Sequence, residues 1–449
     1  MALLCLGVWL NAADTLVTVT ILPSVAADAG GYRWLGWATA AYLLGAIVAG
    51  AASGRSAERL GLRRAMVAGA AVYGVGCLGG ALLPGMPTFV LARLVQGIGA
   101  GWIGALCYVS VESLFPARLW PRVFAAIAGM WGAATLLGPL VGGAFAGWGF
   151  WRGAFWAFAI QAALFAAATL TLIPARAAGE QERPAAPWRQ LAALAASIAL
   201  LGLSGVTAGP WMASVTALLG TILLVAALRL DRAARVTLLP RRASDPRTTV
   251  GLGLSMVLAC EAATSAVNVY GALCLQLRHH VSPLIAGYAI ATIAMGWTAF
   301  AFIAARAPPS AHGALIRAGG LMILLGTALT PWAVPYGPLA AAATALFIQG
   351  AGFGLSWAFI SERVVGSLGD DERALGAGAI PTSQLLAGAI GATSGGLLAN
   401  LLGAAEAPRL LVDAGGGLIL FAAFIPLAVL GALAAWRLGS NKPAPTEAG

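Results

Sequence analysis

Long blocks of apolar residues, separated by short charged or Pro/Gly-rich segments, dominate this 449-residue sequence. Each block is close to the ~20 residues that an α-helix needs to cross the ~30 Å hydrocarbon core of a bilayer. Charged residues make up only 9% of the chain, whereas an average soluble protein carries about 25%. Such a sequence cannot cover a large water-exposed surface, and it predicts an all-α polytopic membrane protein.

The apolar blocks predict fourteen membrane spans. An even number of spans places both ends of the chain on one side of the membrane. The weakest pair is 188–207 and 210–229, because the turn between them is short; read as one interrupted element, it would leave thirteen spans. The predicted spans are 2–25, 34–53, 64–83, 87–111, 121–147, 151–174, 188–207, 210–229, 249–276, 283–304, 313–332, 337–361, 374–403 and 413–437.

Two long polar segments divide the chain into six spans, two spans and six spans. Two six-helix halves are typical of duplicated transporters with a site between the halves. A shift of 247 residues, which lays Asp14 on Glu261, supports the duplication. The predicted division is an N-terminal bundle over 1–174, a loop over 175–187, two linker helices over 188–229, a loop over 230–248, a C-terminal bundle over 249–437 and a tail over 438–449.

The net charge of +10 follows the predicted membrane topology. With both termini cytoplasmic, 21 of the 26 basic residues lie in cytoplasmic loops and tails. This is the positive-inside rule, so the basic balance needs no nucleic-acid partner. We expect an integral protein of the plasma membrane (in bacteria, the inner membrane). The remaining basic residues are Arg33, Arg152, Arg278 and Arg409 outside and Arg93 within a span.

Three charged residues lie in the interior of predicted spans, away from the span ends. Asp14 and Glu261 each fall near the middle of the bilayer, where an ionised group is costly and commonly marks a transport pathway. Desolvation favours the protonated form of a carboxyl group, so both could exchange a proton. Arg93 keeps its charge and lies within reach of Asp14. The alternative for all three is a structural contact between helices.

Five tryptophans fall in the middle of spans. Their rings could line a cavity for an aromatic or cationic ligand, although packing against lipid or core is the alternative. They are Trp9, Trp102, Trp131, Trp297 and Trp357.

Motifs for bond-making chemistry are absent from the sequence. It contains no Walker loop, zinc motif or nucleophile elbow, and its five cysteines lack metal-ligand spacing. We therefore expect no enzyme, no ATP and no cofactor or metal; a proton would be the coupling ion.

The segment between the second and third spans combines glycines with charged residues. They are Gly54, Glu58, Arg59, Gly61, Arg63 and Arg64. This segment resembles the signature loop of the major facilitator superfamily. The resemblance implies that the loop latches the outward-facing state and that Glu58 has a conformational role.

Further motifs follow in the family's order. Arg93 and Gln96 resemble the fourth-helix motif, which places an arginine beside the proton-carrying acid. Asp14, nine residues before Pro23, resembles the first-helix motif of fourteen-span drug:proton antiporters, and Gln384 lies in a matching segment of the second half. The residues that resemble the fifth-helix antiporter signature are Gly132, Gly138, Pro139, Gly142 and Gly143.

The resemblance implies a monomeric, proton-coupled exporter of small lipophilic or cationic compounds that works by alternating access. A proton symporter that imports a small anion or nutrient is the first alternative. A non-transporting membrane sensor or a lipid-modifying enzyme is the alternative from another class, although the sequence shows neither an effector domain nor a catalytic cluster.

Overall fold

The computed structural model describes residues 1–175, 187–207, 209–234 and 236–440, and within these ranges it contains helices and no β-strand. Most of the predicted loop 175–187 and of the tail 438–449 lies outside the described residues. The first eight helices are α1 (Ala2–Ala29), α2 (Leu35–Leu60), α3 (Leu62–Leu82), α4 (Met86–Leu114), α5 (Trp120–Gly147), α6 (Arg152–Leu172), α7 (Trp188–Val206) and α8 (Pro210–Ala233).

The second half repeats the first. Asp14 lies twelve residues after the start of α1, and Glu261 lies twelve residues after the start of α9. The remaining helices are α9 (Thr249–His279), α10 (Pro283–Ala304), α11 (His312–Ala333), α12 (Leu339–Gly366), α13 (Asp370–Leu401), α14 (Leu410–Asp413), α15 (Gly416–Ala422) and α16 (Ile425–Ser440).

Thirteen helical segments of the described chain are long and apolar enough to cross a membrane. The helix α13 is not among them. Its 32 residues exceed the length required, but its glycine, serine, threonine and glutamine residues lower its hydropathy. Because α13 packs along the membrane-length helix α9, it supplies the fourteenth span of a fold with two six-helix bundles and two linking helices.

The predicted span 413–437 is not one continuous helix. Gly415 has a left-handed φ of 80° and separates α14 from α15. A second break at residues 423–424 precedes Pro426, which lacks a backbone N–H and disfavours helical geometry in the residue before it.

The predicted signature loop is almost entirely helical, so the prediction of a loop over 54–64 is wrong. The helix α2 continues through Glu58 and ends at Leu60, and α3 begins at Leu62. Only Gly61 separates them, with φ of 77°. A left-handed φ is available to glycine without a steric penalty, so one residue is enough to reverse the chain.

Glycines set the distances between helices of the N-terminal half. A Cβ at Gly97 of α4 would collide with the carbonyl oxygen of Tyr42 on α2, and one at Gly99 would collide with the backbone of Tyr73 on α3. Small residues of this kind allow close backbone approach in membrane helices. They hold α4 tightly between its two neighbours.

The N-terminal and C-terminal halves contact each other near the end of the bundle that carries few basic residues. We call this end the arginine-poor end. There Gly36 of α2 packs on Ala392 and Gly396 of α13. On the other side of the interface, Gly143 of α5 packs on Leu284 of α10.

The same helix faces separate toward the opposite, arginine-rich end. Gly378 and Pro381 continue the face of α13 that carries Gly396, and both are exposed. Gly129 and Gly132 continue the face of α5 that carries Gly143, and a Cβ at either would meet no atom within 4 Å. The halves therefore enclose a cleft that opens at the arginine-rich end.

The linker helices lie on one side of this cleft. A Cβ at Gly202 of α7 would collide with the ring of Trp37 on α2. Farther along, Leu191, Leu194 and Ile198 of α7 share an apolar cluster with α2 and α13. The helix α7 thus lies against the junction of α2 and α13, and α8 packs on its outer side.

Replacing Gly97 by alanine tests the tight α2–α4 contact. The new methyl group collides with backbone, and overpacking of this kind costs about 1–3 kcal/mol, so the thermal midpoint of the purified protein should fall by several degrees. Gly129→Ala is the matched control because its methyl group enters open space; its midpoint should stay level or rise. Equal midpoints for both variants would contradict the contact.

Candidate ion-coupling and substrate site

A buried ion pair joins α1 to α4. Nη1 of Arg93 lies 3.0 Å from Oδ1 and 3.2 Å from Oδ2 of Asp14. Asp14 is 0% exposed and Arg93 is 2% exposed. The structure therefore brings together the acid and the base that the sequence predicted to lie within reach of each other.

Polar neighbours complete the surroundings of the pair. The Thr18 hydroxyl donates to Oδ1 of Asp14 over 3.1 Å, and Nη1 of Arg93 also donates to Oε1 of Gln96 over 2.6 Å. The Arg93 guanidinium lies 4.2 Å from the centre of the Tyr42 ring, and the Tyr42 hydroxyl donates to Oδ1 of Asn11 over 2.7 Å.

The amide of Gln96 extends this network to α3. Its Nε2 donates to Sγ of Cys77 over 3.2 Å. Cys77 is buried, and its sulfur accepts this hydrogen bond. The sequence gave no signal for that role.

Chemically, this arrangement gives the Asp14 carboxyl group a cationic partner in place of hydration. A buried carboxylate without a partner would cost several kcal/mol, and Arg93 cannot escape by losing its proton. Protonation of Asp14 would leave the arginine charge uncompensated and weaken the link between α1 and α4. A proton and Arg93 therefore compete for the same oxygens, which is the property that a coupling site requires.

Glu261 lies at the equivalent place in α9 but in different surroundings. It is half-buried, and its side-chain partner among the described residues is the Gln384 amide, with Nε2 3.4 Å from Oε2. That distance is long for a hydrogen bond to a carboxylate. In the part of the chain that the structure describes, no hydrogen bond or ion pair joins Glu261 to Asp14 or Arg93, so the two acids occupy separate sites in the two halves.

The predicted cavity tryptophans fall in several environments. Trp297 of α10 stacks on Phe353 of α12 with ring centres 5.0 Å apart, and Trp357 lies 5.2 Å from Trp297. Trp131 on α5 is 43% exposed. A role in ligand binding stays a prediction for these residues.

Two of the predicted cavity tryptophans make specific hydrogen bonds between helices. Trp9 of α1 donates to Oε1 of Gln161 on α6 over 2.9 Å. Trp102 of α4 donates to the Ser56 hydroxyl on α2 over 2.6 Å. The second bond ties α4 to the signature segment of α2, next to Glu58, which is half-buried.

The charged ends of the signature segment face outward. Arg59 and Arg64 are exposed, and Arg63 is half-buried. A Cβ at Gly54 would meet no atom within 4 Å. The predicted latch function of this segment stays a prediction.

The fifth-helix glycines lie at the interface on which the cleft depends. A Cβ at Gly138 would come within 2.7 Å of Leu16 on α1, and one at Gly142 within 2.9 Å of the Val17 carbonyl oxygen. Pro139 packs near Gly287 of α10. This segment therefore contacts α1 and the opposite half at once.

Asn11 and Thr18 are neighbours of the acid that the sequence did not predict. Both lie on the face of α1 that carries Asp14, at spacings of three and four residues. Three polar side chains on one face of an otherwise apolar helix are the signal that could have identified them.

Two helical halves that surround a cleft, with acids at equivalent places inside their first helices, define a membrane transport protein. The Major Facilitator Superfamily model matches residues 4–392, and the chain belongs to this superfamily. The family predicted from the sequence motifs is thereby confirmed.

Individual proteins agree with this assignment. A probable multidrug-efflux transporter of Mycobacterium tuberculosis is 34% identical over 96% of this chain and 92% of its own length. A solved peptide transporter has a TM-score of 0.67 at 16% identity and covers 97% of this chain and 94% of its own. A solved D-xylose–proton symporter has a TM-score of 0.64 at 19% identity, covering 97% and 96%. The two structures share the fold.

A double-mutant cycle on Asp14→Asn and Arg93→Met tests the ion pair. Asp14→Asn should lower the thermal midpoint more than Arg93→Met, because an unpaired aspartate can take up a proton whereas an unpaired arginine stays charged. The double variant should recover part of the loss, since removing both charges removes the uncompensated one.

The exposed pair of Arg33 and Glu406, at 2.7 Å, is the matched control. In its cycle, the midpoint shifts of Arg33→Met and Glu406→Gln should be nearly additive, because an exposed ion pair contributes only about 0.2–1 kcal/mol to stability. Additive effects at Asp14 and Arg93 would contradict a direct interaction.

Proposed function

We propose that this transporter exports small lipophilic or cationic compounds in exchange for protons. The observation that carries the proposal is the Asp14–Arg93 pair. It is buried in the middle of the bundle, where a proton would compete with the arginine for the aspartate oxygens. The name of the Mycobacterium tuberculosis relative, a probable multidrug-efflux transporter, supports efflux as the direction. The glycines of α5 at the interface of the halves make the close helix contacts that the resemblance to the antiporter signature implies.

The proposed cycle alternates access to the two ends of the bundle. Under the positive-inside rule the arginine-rich end faces the cytoplasm, so this structure is the inward-open state. In the outward-open state a proton enters, neutralises Asp14 or Glu261, and releases the substrate. The membrane potential contributes about 2.3 kcal/mol per 100 mV for each net charge that the exchange moves. The return of the protonated, empty carrier completes the exchange.

The rest of the proposal follows from the sequence. The protein works as a monomer in the plasma membrane (in bacteria, the inner membrane) with both termini cytoplasmic. It has a small-molecule substrate and the lipid bilayer as partners, and it uses neither nucleic acid, ATP, metal nor an organic cofactor. It is not an enzyme, and its two bundles are 1–174 and 249–437.

Proton antiport can be measured with purified protein in liposomes that contain a pH-sensitive dye. Under an imposed proton gradient, a panel of lipophilic cations should include compounds that trigger proton movement. The variant that combines Asp14→Asn and Glu261→Gln should lose it, because neither acid can then take up a proton. Glu261→Gln alone leaves the ion pair in place and serves as the variant least prone to misfold.

Two outcomes would contradict antiport. Full proton movement in the doubly substituted protein would remove both acids from the coupling path. If no compound of the panel moves protons but uptake of an anion or nutrient does, the protein is a symporter instead.

Alternating access predicts that a cross-link at the arginine-poor end stops transport. Arg33 and Glu406 belong to opposite halves, and both should be replaced by cysteines and joined by a short, reducible bis-maleimide. Cys5, the one native thiol that is not buried, should be changed to alanine so that it does not react. Transport should stop and return when the linker is cleaved. The single-cysteine variants treated alike are the controls, and continued transport in the linked protein would contradict the model.

A further inference from the structure

We propose that Glu261 is the counter-charge for a lipophilic monovalent organic cation bound at the closed end of the cleft. Asp14, in contrast, does not contact the substrate charge in the inward-open state. This inference rests on the proposed function, because it assigns the substrate class and its place to the same transport pathway.

The first argument is access along α13. Gly378 and Pro381 are exposed, and Gln384, one turn farther on, is half-buried. These residues follow one side of the helix from the arginine-rich end to the level of Glu261, with which Gln384 is in contact. The accessible side of α13 therefore extends from the arginine-rich end to the level of this carboxylate.

The second argument is that this accessible side ends there. One turn beyond Gln384, a Cβ at Gly388 would lie 3.0 Å from Leu43 of α2. Farther along, Gly396 packs on Gly36. Because the two halves touch from this level onward, a molecule that enters the cleft stops beside Glu261.

The third argument is charge. Asp14 is fully buried and paired with Arg93, whereas Glu261 receives one long hydrogen bond from a neutral amide. A carboxylate in an apolar bundle without a cationic partner is costly. A bound organic cation would supply the missing partner, and Asp14 needs none.

The fourth argument is the surroundings. Trp297, Phe353 and Trp357 form a ring cluster on α10 and α12, two helices that pack against α9. By register, Trp297 and Trp357 lie nearer than Glu261 to the arginine-rich end. Aromatic faces attract organic cations, so this half offers both an aromatic surface and a carboxylate to a lipophilic cation.

Binding to the purified full-length protein in detergent separates charge recognition from transport. The probes are radiolabelled tetraphenylphosphonium and the neutral triphenylphosphine oxide. Glu261→Gln should weaken binding of the cation by roughly 10- to 100-fold, because it removes the carboxylate charge that attracts the cation, and should leave binding of the neutral compound unchanged. Glu261→Asp should retain part of the affinity for the cation.

Asp413→Asn is the matched control. It removes the same negative charge from an exposed residue outside the cleft, so it should change neither affinity. Equal loss of both probes in Glu261→Gln would indicate a packing defect and overturn the proposal. Wild-type affinity for the cation in Glu261→Gln, or no binding of the cation to the unmodified protein, would overturn it as well.

The liposome assay distinguishes this site from the proposed antiport. If Glu261→Gln loses the cation selectively while the unmodified protein moves no protons, the binding site stands and proton coupling falls. If the unmodified protein couples the cation to protons and Glu261→Gln still binds it normally, antiport stands and the site falls.

Discussion

A charge inside an apolar helix bundle persists only when another group compensates for it, and the Asp14–Arg93 pair meets this condition in the N-terminal half. The pair joins α1 to α4 at a depth where water does not solvate the two charges. It also determines how the network around it is arranged, since Gln96 and Thr18 point their polar atoms toward the two charges. The C-terminal half has no such compensation at Glu261. The duplicated fold has therefore given its two halves different electrostatic roles.

Helix approach is the second constraint, and glycine controls it. Within the N-terminal half, glycines press α4 against α2 and α3 along their length. Between the halves, the described glycines make their contacts toward the arginine-poor end. The helices thus converge at one end and separate at the other, and the cleft results from where the small residues make contact rather than from any flexible segment.

The sequence predicted the helices, the two halves and the Asp14–Arg93 neighbourhood, because hydrophobic blocks and rare buried charges are strong local signals. It did not predict that the signature segment continues α2 to Leu60, since a polar, charged stretch has the composition of a loop. The break before Pro426 was missed because hydropathy does not register helix interruptions. The difference between Asp14 and Glu261 depends on neighbours from other helices, such as Gln384, and no local pattern reports those.

The Asn400 side chain has a consequence for how the two halves can move. Its Nδ2 donates to the carbonyl oxygen of Arg33 in the N-terminal half and to that of Gly205 in α7. One side-chain amide thus links α13, the segment at Arg33 and α7 on one side of the molecule. Separating the halves at this end must sacrifice the bond to Arg33, whereas the bond to Gly205 can survive. The linker pair would then travel with the C-terminal half, so the moving bodies would be unequal: six helices against eight.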